Sequence, residues 1–193
     1  MNVAYRYLVD DFLAHQRIAV TGYSTTPNAP ANAIYKRLQD NGYEVFAVNP
    51  KADQVQDVPC YPNLAAIPAT IDWVMICSPP EASVSIVEEC IALGISRVWM
   101  HRSVDKGSFD CEAEYLARDN GMLCISAGCP LMFVKPDFFH RTIMKFIANV
   151  RGLLKAPDDP KSLHCETCCA DMLADLEPMQ MKKPDNKREK API

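Results

Sequence analysis

A doubly wound α/β fold is what this sequence predicts, on three observations. Short apolar runs recur roughly every 25 residues along the first 150. Amphipathic stretches of helical period lie between them. The runs are continuously apolar rather than alternating, the mark of strands buried on both faces of a parallel sheet. Right-handed crossovers then give a mainly parallel, five-stranded, Rossmann-like sheet with helices on both faces and the order 3-2-1-4-5.

The elements follow in order. Tyr5, Leu8 and Phe12 at helical spacing predict a leading helix over residues 3–13. Residues 18–22 are an apolar run ending in Gly22, the first strand. Residues 31–41 form a helix with Ile34 and Leu38 inward, stopped by Gly42. Residues 43–48 are the second strand. Residues 51–71, with Pro59, Pro62 and Pro68, read as a long connection with room for one helical turn, and 72–77 as the third strand. Ser78-Pro-Pro-Glu81 fits a capping box opening a helix with Val84, Val87 and Ile91 on one face and Gly94 at its end. Residues 97–100 are the fourth strand. Ser108 opens the next helix, ended by Asn120-Gly121, and residues 122–126 are the fifth strand. Pro136 opens a last helix with Phe139, Ile143, Phe146 and Val150 on its apolar face.

From Lys155 onward the character changes. The last 39 residues hold seven Lys/Arg, eight Asp/Glu and five prolines, without a strand pattern or a sustained apolar face. The reading is one domain over 1–152 and a charged, largely disordered tail over 153–193, with one short helix allowed near 162–176.

Composition narrows the function. With 193 residues, 49% of them apolar, the chain builds one core and not two full domains. A net charge of −4 gives no general pull toward nucleic acid or anionic membranes. The N-terminus, interrupted by Arg6, Asp10 and Asp11, is no signal peptide, and no apolar run approaches the ~20 residues of a membrane helix. The nine cysteines therefore read as reduced thiols of a cytoplasmic protein. Cys77, Cys90 and Cys124 lie in apolar patterns and read as core packing. In the tail, His164, Cys165, Cys168 and Cys169 have the composition of a zinc site but lack a second ligand cluster, so no metal site is assigned. A redox or metal-responsive role through that cluster stands as one alternative function.

In a sheet of this kind ligands bind beyond the carboxyl ends of the strands. That edge carries Gly22, Tyr23, Ser24, Thr25 and Thr26 after strand one, Asn49, Pro50 and Lys51 after strand two, and Ser78, Pro79 and Pro80 after strand three. His101 and Arg102 follow strand four, and Gly128-Cys129-Pro130 follows strand five. The first loop precedes a helix N-terminus, which favours phosphate. It is no dinucleotide fingerprint, because Gly22 is the only one of three glycines present. Where a bare ribose diol calls for an acid, strand two ends in Lys51. A cation there suits a ribose phosphate, as in NADP or coenzyme A, so an NADP-dependent oxidoreductase is a second alternative. His101 has neither a tuning neighbour nor a substrate visible in sequence, and no catalytic residue is assigned. Arg102 is a candidate phosphate contact, and His140-Arg141 reads as packing or surface pairing.

The stretches Ile18-Ala-Val-Thr-Gly-Tyr-Ser24, Gly42-Tyr-Glu-Val-Phe-Ala-Val-Asn-Pro-Lys51, Val58-Pro-Cys-Tyr-Pro62, Cys77-Ser-Pro-Pro80, Val98-Trp-Met-His-Arg-Ser103 and Gly128-Cys-Pro130 carry a resemblance. Over roughly residues 15–150 the chain resembles the small stand-alone CoA-binding proteins, whose domain is similar to the N-terminal CoA-binding domain of the succinyl-CoA synthetase α subunit. The resemblance implies coenzyme A or an acyl-CoA lying across the strand ends. Gly22, Ser24 and Thr25 would line its phosphates. Asn49, Pro50 and Lys51 would flank the adenosine 3′-phosphate, and Ser78, Pro79 and Pro80 would form the opposite wall. Tyr23 stands where the family commonly has a small residue. The synthetase's phosphohistidine domain and nucleotide-binding subunit have no counterpart here, which implies binding without catalysis.

Overall fold

The computed structural model describes residues 3–26, 29–103, 107–136 and 138–154. The tail over 155–193, with its cysteine cluster, lies outside them.

At the centre is β1 (Arg17–Thr21), hydrogen-bonded in parallel to β2 (Glu44–Val48) on one side and β5 (Trp73–Ile76) on the other. Ile18 stands opposite Val45 and Trp73. Beyond β5 come β6 (Arg97–Met100) and β7 (Leu123–Ile125), also parallel. Beyond β2 lies β4 (Val58–Tyr61), parallel to β2, and then β3 (Gln54–Val55), antiparallel to β4.

The class is the expected one, but the sheet has seven strands in the order β3-β4-β2-β1-β5-β6-β7 rather than five. The expected order placed 72–77 outside strand two, whereas Trp73–Ile76 pairs with β1. The outer place belongs to β4, inside what reads as a long connection. Pro59 pairs with Gln54 of the two-residue edge strand β3, a position where a missing N–H costs little. The β3–β4 turn uses Gln56 at φ +54° rather than an Asn-Gly or Asp-Gly pair, so it carries none of the usual hairpin signal.

Alternation along the strands sends side chains to two cores. Ile18, Val20, Trp73, Met75, Trp99 and Ile125 face one side, covered by α1 (Val3–Leu13), α2 (Pro30–Gln39) and the final helix. Ala19, Val74, Ile76, Val98, Met100 and Cys124 face the other, covered by α3 (Ser83–Ala92) and α4 (Cys111–Asp119). From α1, Tyr5, Val9 and Phe12 point inward, and Phe12 meets the rings of Trp73 and Trp99 edge-on at 5.3 and 5.9 Å.

Three helix starts or faces differ from the sequence reading. Ser78 caps nothing. Pro79 is extended, a 3₁₀ turn spans Pro80–Ala82, and α3 begins only at Ser83, because consecutive prolines delay helical hydrogen bonding. Asp110, not Ser108, caps α4, its carboxylate accepting from the amides of Glu112 (3.0 Å) and Ala113 (3.1 Å). Ser108 is buried, its carbonyl accepting from the Ser83 hydroxyl at 2.7 Å. The last helix runs as a π-helix over Phe139–Met144 before α5 (Lys145–Val150). Its wider turn rotates the face, so Met144 and Ala148 are buried while Ile143, Phe146 and Val150 are exposed. Packing continues past the expected boundary at 152: Leu154 is buried in the first core.

Among the described residues no helix is long and apolar enough to cross a membrane, and the six cysteines are free thiols. Phe12 is fully buried in the aromatic cluster, so Phe12→Ala is expected to lower stability by about 3–5 kcal/mol, measured by urea denaturation.

Candidate functional site

The parallel strands β1, β2, β5, β6 and β7 all end at one edge of the sheet, and the expected site residues lie on the loops that follow them. Between β1 and β5 the loops touch. Gly22 has φ +77°, and a Cβ placed on it would lie 2.7 Å from the backbone of Cys77 and Ser78. Only glycine meets both demands, a left-handed backbone and no side chain. Beside it the Ser78 hydroxyl donates to the Thr21 hydroxyl at 3.0 Å and ties the two loops together.

Tyr23 does not face the crevice. Its ring is buried and meets Tyr35 edge-on at 5.0 Å, within a small core shared with Ala47, Val55 and Cys60. The extended β3–β4 segment, unseen in the sequence, supplies part of that core. An exposed aromatic at the mouth would otherwise narrow the site.

Ser24 is also committed internally. Its amide donates to Asn32 Oδ1 at 3.0 Å, its carbonyl accepts from Asn32 Nδ2 at 2.7 Å, and its hydroxyl accepts from the Thr26 amide at 3.0 Å. These bonds fold the loop back onto α2. Thr25 and Thr26 are exposed. No side chain caps α2.

Asn49 is a clamp. Its amide nitrogen donates to the Tyr23 carbonyl at 3.0 Å, and its oxygen accepts from the Lys51 backbone at 2.8 Å. One side chain therefore fixes the first loop and the Lys51 turn relative to each other, leaving Pro50 and Lys51 exposed at the crevice rim.

His101 and Arg102 separate, as neighbours on an extended backbone do. His101 turns toward α2 and lines a cavity. Arg102 turns the other way, its guanidinium 4.7 Å from the centre of the Phe109 ring. Its Nε is buried and has no hydrogen-bond partner among the described residues. The Arg102 amide donates to the Gly128 carbonyl at 3.2 Å, joining the loops after β6 and β7.

The cavity has a volume of about 240 Å³. Pro30, Ala33 and Ile34 of α2 form one wall, His101, Ser103, Cys129 and Leu131 the opposite side, and His140 and Met144 of the π-helix the base. The sequence reading assigned His140 to packing and Ile34 to the inward face of its helix, and left Pro30, Ala33 and Met144 unassigned. Of the missed lining, Cys129 stands in a visible strand-end motif, whereas Ala33 and Met144 carry no local signal.

Burial pushes the thiol of Cys129 up to about 12, offset in part by a backbone hydrogen bond at Leu131 and by Arg37. Burial likewise raises Cys77 well above the usual thiol range, with Cys129 adding to the effect. At neutral pH both are thiols, poor nucleophiles packed at the foot of the crevice.

A doubly wound sheet whose strand-end loops share one edge, with a glycine turn, an uncapped helix start and a lysine on the second loop, is the class of fold in which ligands bind beyond the strand ends. Residues 16–135 match the CoA binding domain family, and the chain belongs to it. It is 32% identical over 87 residues to acetate–CoA ligase (ADP-forming) II of Archaeoglobus fulgidus, a match covering 44% of this chain and 13% of that protein. The uncharacterized protein YneT of Bacillus subtilis is 29% identical over 114 residues, covering 59% of this chain and 82% of that protein. A hypothetical protein from Pyrococcus horikoshii superposes with a TM-score of 0.59 at 29% identity, covering 65% of this chain and 85% of that one. The chain thus spans a small part of the archaeal ligases, 13% and 17% of two from A. fulgidus.

Two outcomes test this geometry. Gly22→Ala is expected to cost more stability than Gly42→Ala, because both glycines have positive φ but a Cβ meets nothing within 4 Å at Gly42; urea titration of the two variants makes the comparison. Cys77 and Cys129 are expected to resist iodoacetamide at pH 8 in the native protein and to react in denaturant, read by mass spectrometry of tryptic peptides.

Proposed function

We propose that this protein binds coenzyme A across the carboxyl edge of its sheet and holds it without transforming it. The observation that carries the reading is the family match over residues 16–135, taken with a crevice whose second loop presents Lys51. In this reading the 3′-phosphate lies at Lys51, where Asn49 holds the turn. The pyrophosphate lies by Gly22, Thr25 and the start of α2, attracted by free backbone donors and the helix dipole. Ser78, Pro79 and Pro80 form the facing wall. Ser24 and Tyr23 serve by shaping the first loop rather than by direct contact.

Arg102 is not a ligand contact in this reading: its guanidinium lies over Phe109 with Nε buried, and both phosphate groups are placed at the loops after β1 and β2. The buried thiols argue against acyl transfer through Cys129. The ADP-forming acetate–CoA ligases among the relatives are far longer proteins, and this chain matches only a minor share of them. Binding is the part of their work that this domain supports.

Calorimetric titration with coenzyme A, dephospho-CoA and NADP tests the reading. Coenzyme A is expected to bind. Lys51→Glu is expected to weaken it about 10- to 100-fold, the worth of one charge-assisted hydrogen bond, while dephospho-CoA, lacking the 3′-phosphate, loses far less. Binding of NADP with none of coenzyme A would overturn the proposal in favour of a dinucleotide enzyme.

A further inference from the structure

The last helix carries an apolar stripe that is open to solvent. Ile143, Phe146 and Val150 stand three and four residues apart, on one helix face. A regular helix would bury them. The π-turn over Phe139–Met144 instead gives that place to Met144 and Ala148. Phe146 and Val150 are each 68% exposed, and Ile143 is exposed beside them. A single exposed apolar side chain is ordinary, but an aligned row on one helix marks a contact surface. The helix is also basic: residues 138–154 include Arg141, Lys145 and Arg151 and no Asp or Glu.

Where the chain goes next narrows what covers the stripe. At the end of α5, Gly152 takes φ +71°, its amide donating to the Asn149 carbonyl at 3.1 Å and the Leu153 amide to the Ala148 carbonyl at 2.9 Å. This helix stop turns the chain, and Leu154 is buried in the first core. The chain therefore leaves the domain about one turn past Val150, with 39 residues following Leu154. Residues 155–164 reach at most ~35 Å, against a stripe about 10 Å long. On a helical period, Cys165, Cys168, Cys169, Met172, Leu173 and Leu176 share one face, and Glu166, Asp171, Asp175 and Glu177 border it. That face lasts about three turns, too few for a helix to hold in water unaided. An apolar row thus matches an apolar row, and acidic borders match the charge of Lys145 and Arg151.

We propose that residues 165–176 of this same chain dock as an amphipathic helix on the stripe of Ile143, Phe146 and Val150. A second copy of the chain fits less well, because three side chains fall far short of the ~800 Å² that each partner gives to a stable interface. A tethered segment needs less, since a short flexible leash holds it at about millimolar effective concentration. Docked in this way, Cys165, Cys168 and Cys169 act as small apolar groups against the stripe and are sheltered from solvent.

Alkylation of the reduced full chain with iodoacetamide at pH 8, read by mass spectrometry of peptides, tests the docking. Cys165, Cys168 and Cys169 are expected to react about tenfold more slowly than in Phe146→Asp or in Leu176→Asp, because alkylation must wait for the segment to lift off. Resistance of Cys77 and Cys129 reports in the same sample that the domain is folded, and Leu176→Asp, in the tail, leaves the domain untouched. Sedimentation is expected to give a monomer throughout. If the tail thiols react at one rate in all three proteins, fast or slow, the docking is wrong. If slow reaction is abolished by a chelator and by neither substitution, a metal holds the cluster and the docking is again wrong. A dimer that Phe146→Asp dissociates assigns the stripe to a second copy and overturns the proposal.

Discussion

β1 is the constraint on which the rest of the molecule depends. It pairs in parallel on both sides and is buried on both faces. A strand in that position can carry no polar side chain inward until it ends, so its chemistry is delivered at its carboxyl terminus. The neighbouring strands run the same way and deliver theirs at the same edge. The crevice is a consequence of burying the sheet twice.

At that edge, the loops are held by bonds they make to one another. Thr21 and Ser78 join the loops after β1 and β5, Asn49 joins those after β1 and β2, and Arg102 joins those after β6 and β7. The carbonyl of Ala127 accepts from both Tyr5 Oη (2.9 Å) and Trp99 Nε1 (3.1 Å), fixing the last loop from beneath. Satisfying so many polar groups before a ligand arrives reduces the ordering that binding must supply. Ser24 and Asn49, natural ligand candidates by residue type, spend their hydrogen bonds within these loops.

The two faces of the sheet divide the labour at the crevice. The face covered by α2 and the π-helix ends in an apolar cavity with two imidazoles. The face covered by α3 and α4 ends at Phe109 with the guanidinium of Arg102 over it. Adjacent residues, His101 and Arg102, reach opposite environments because the chain is extended where β6 leaves the sheet. The two sides of one short edge therefore present different surroundings, one apolar with two imidazoles and one with a guanidinium.

What the sequence by itself determined is the periodic part. The fold class, the five central strands, the strand ends and the residues on them are legible because burial on both faces demands continuous apolar runs, and the loops that follow them are short. What it did not carry is whatever depends on neighbours remote in sequence. The β3–β4 hairpin is too brief and proline-rich to show a period. Tyr23 turns inward because Tyr35 and Val55 provide a core that no local pattern announces. The π-turn rotates Phe146 and Val150 out and Met144 in, although a regular helix would have done the reverse. Only tertiary structure brought α2, the loops after β6 and β7 and the π-helix around one cavity, because a concave surface belongs to several segments at once and to the spacing of none.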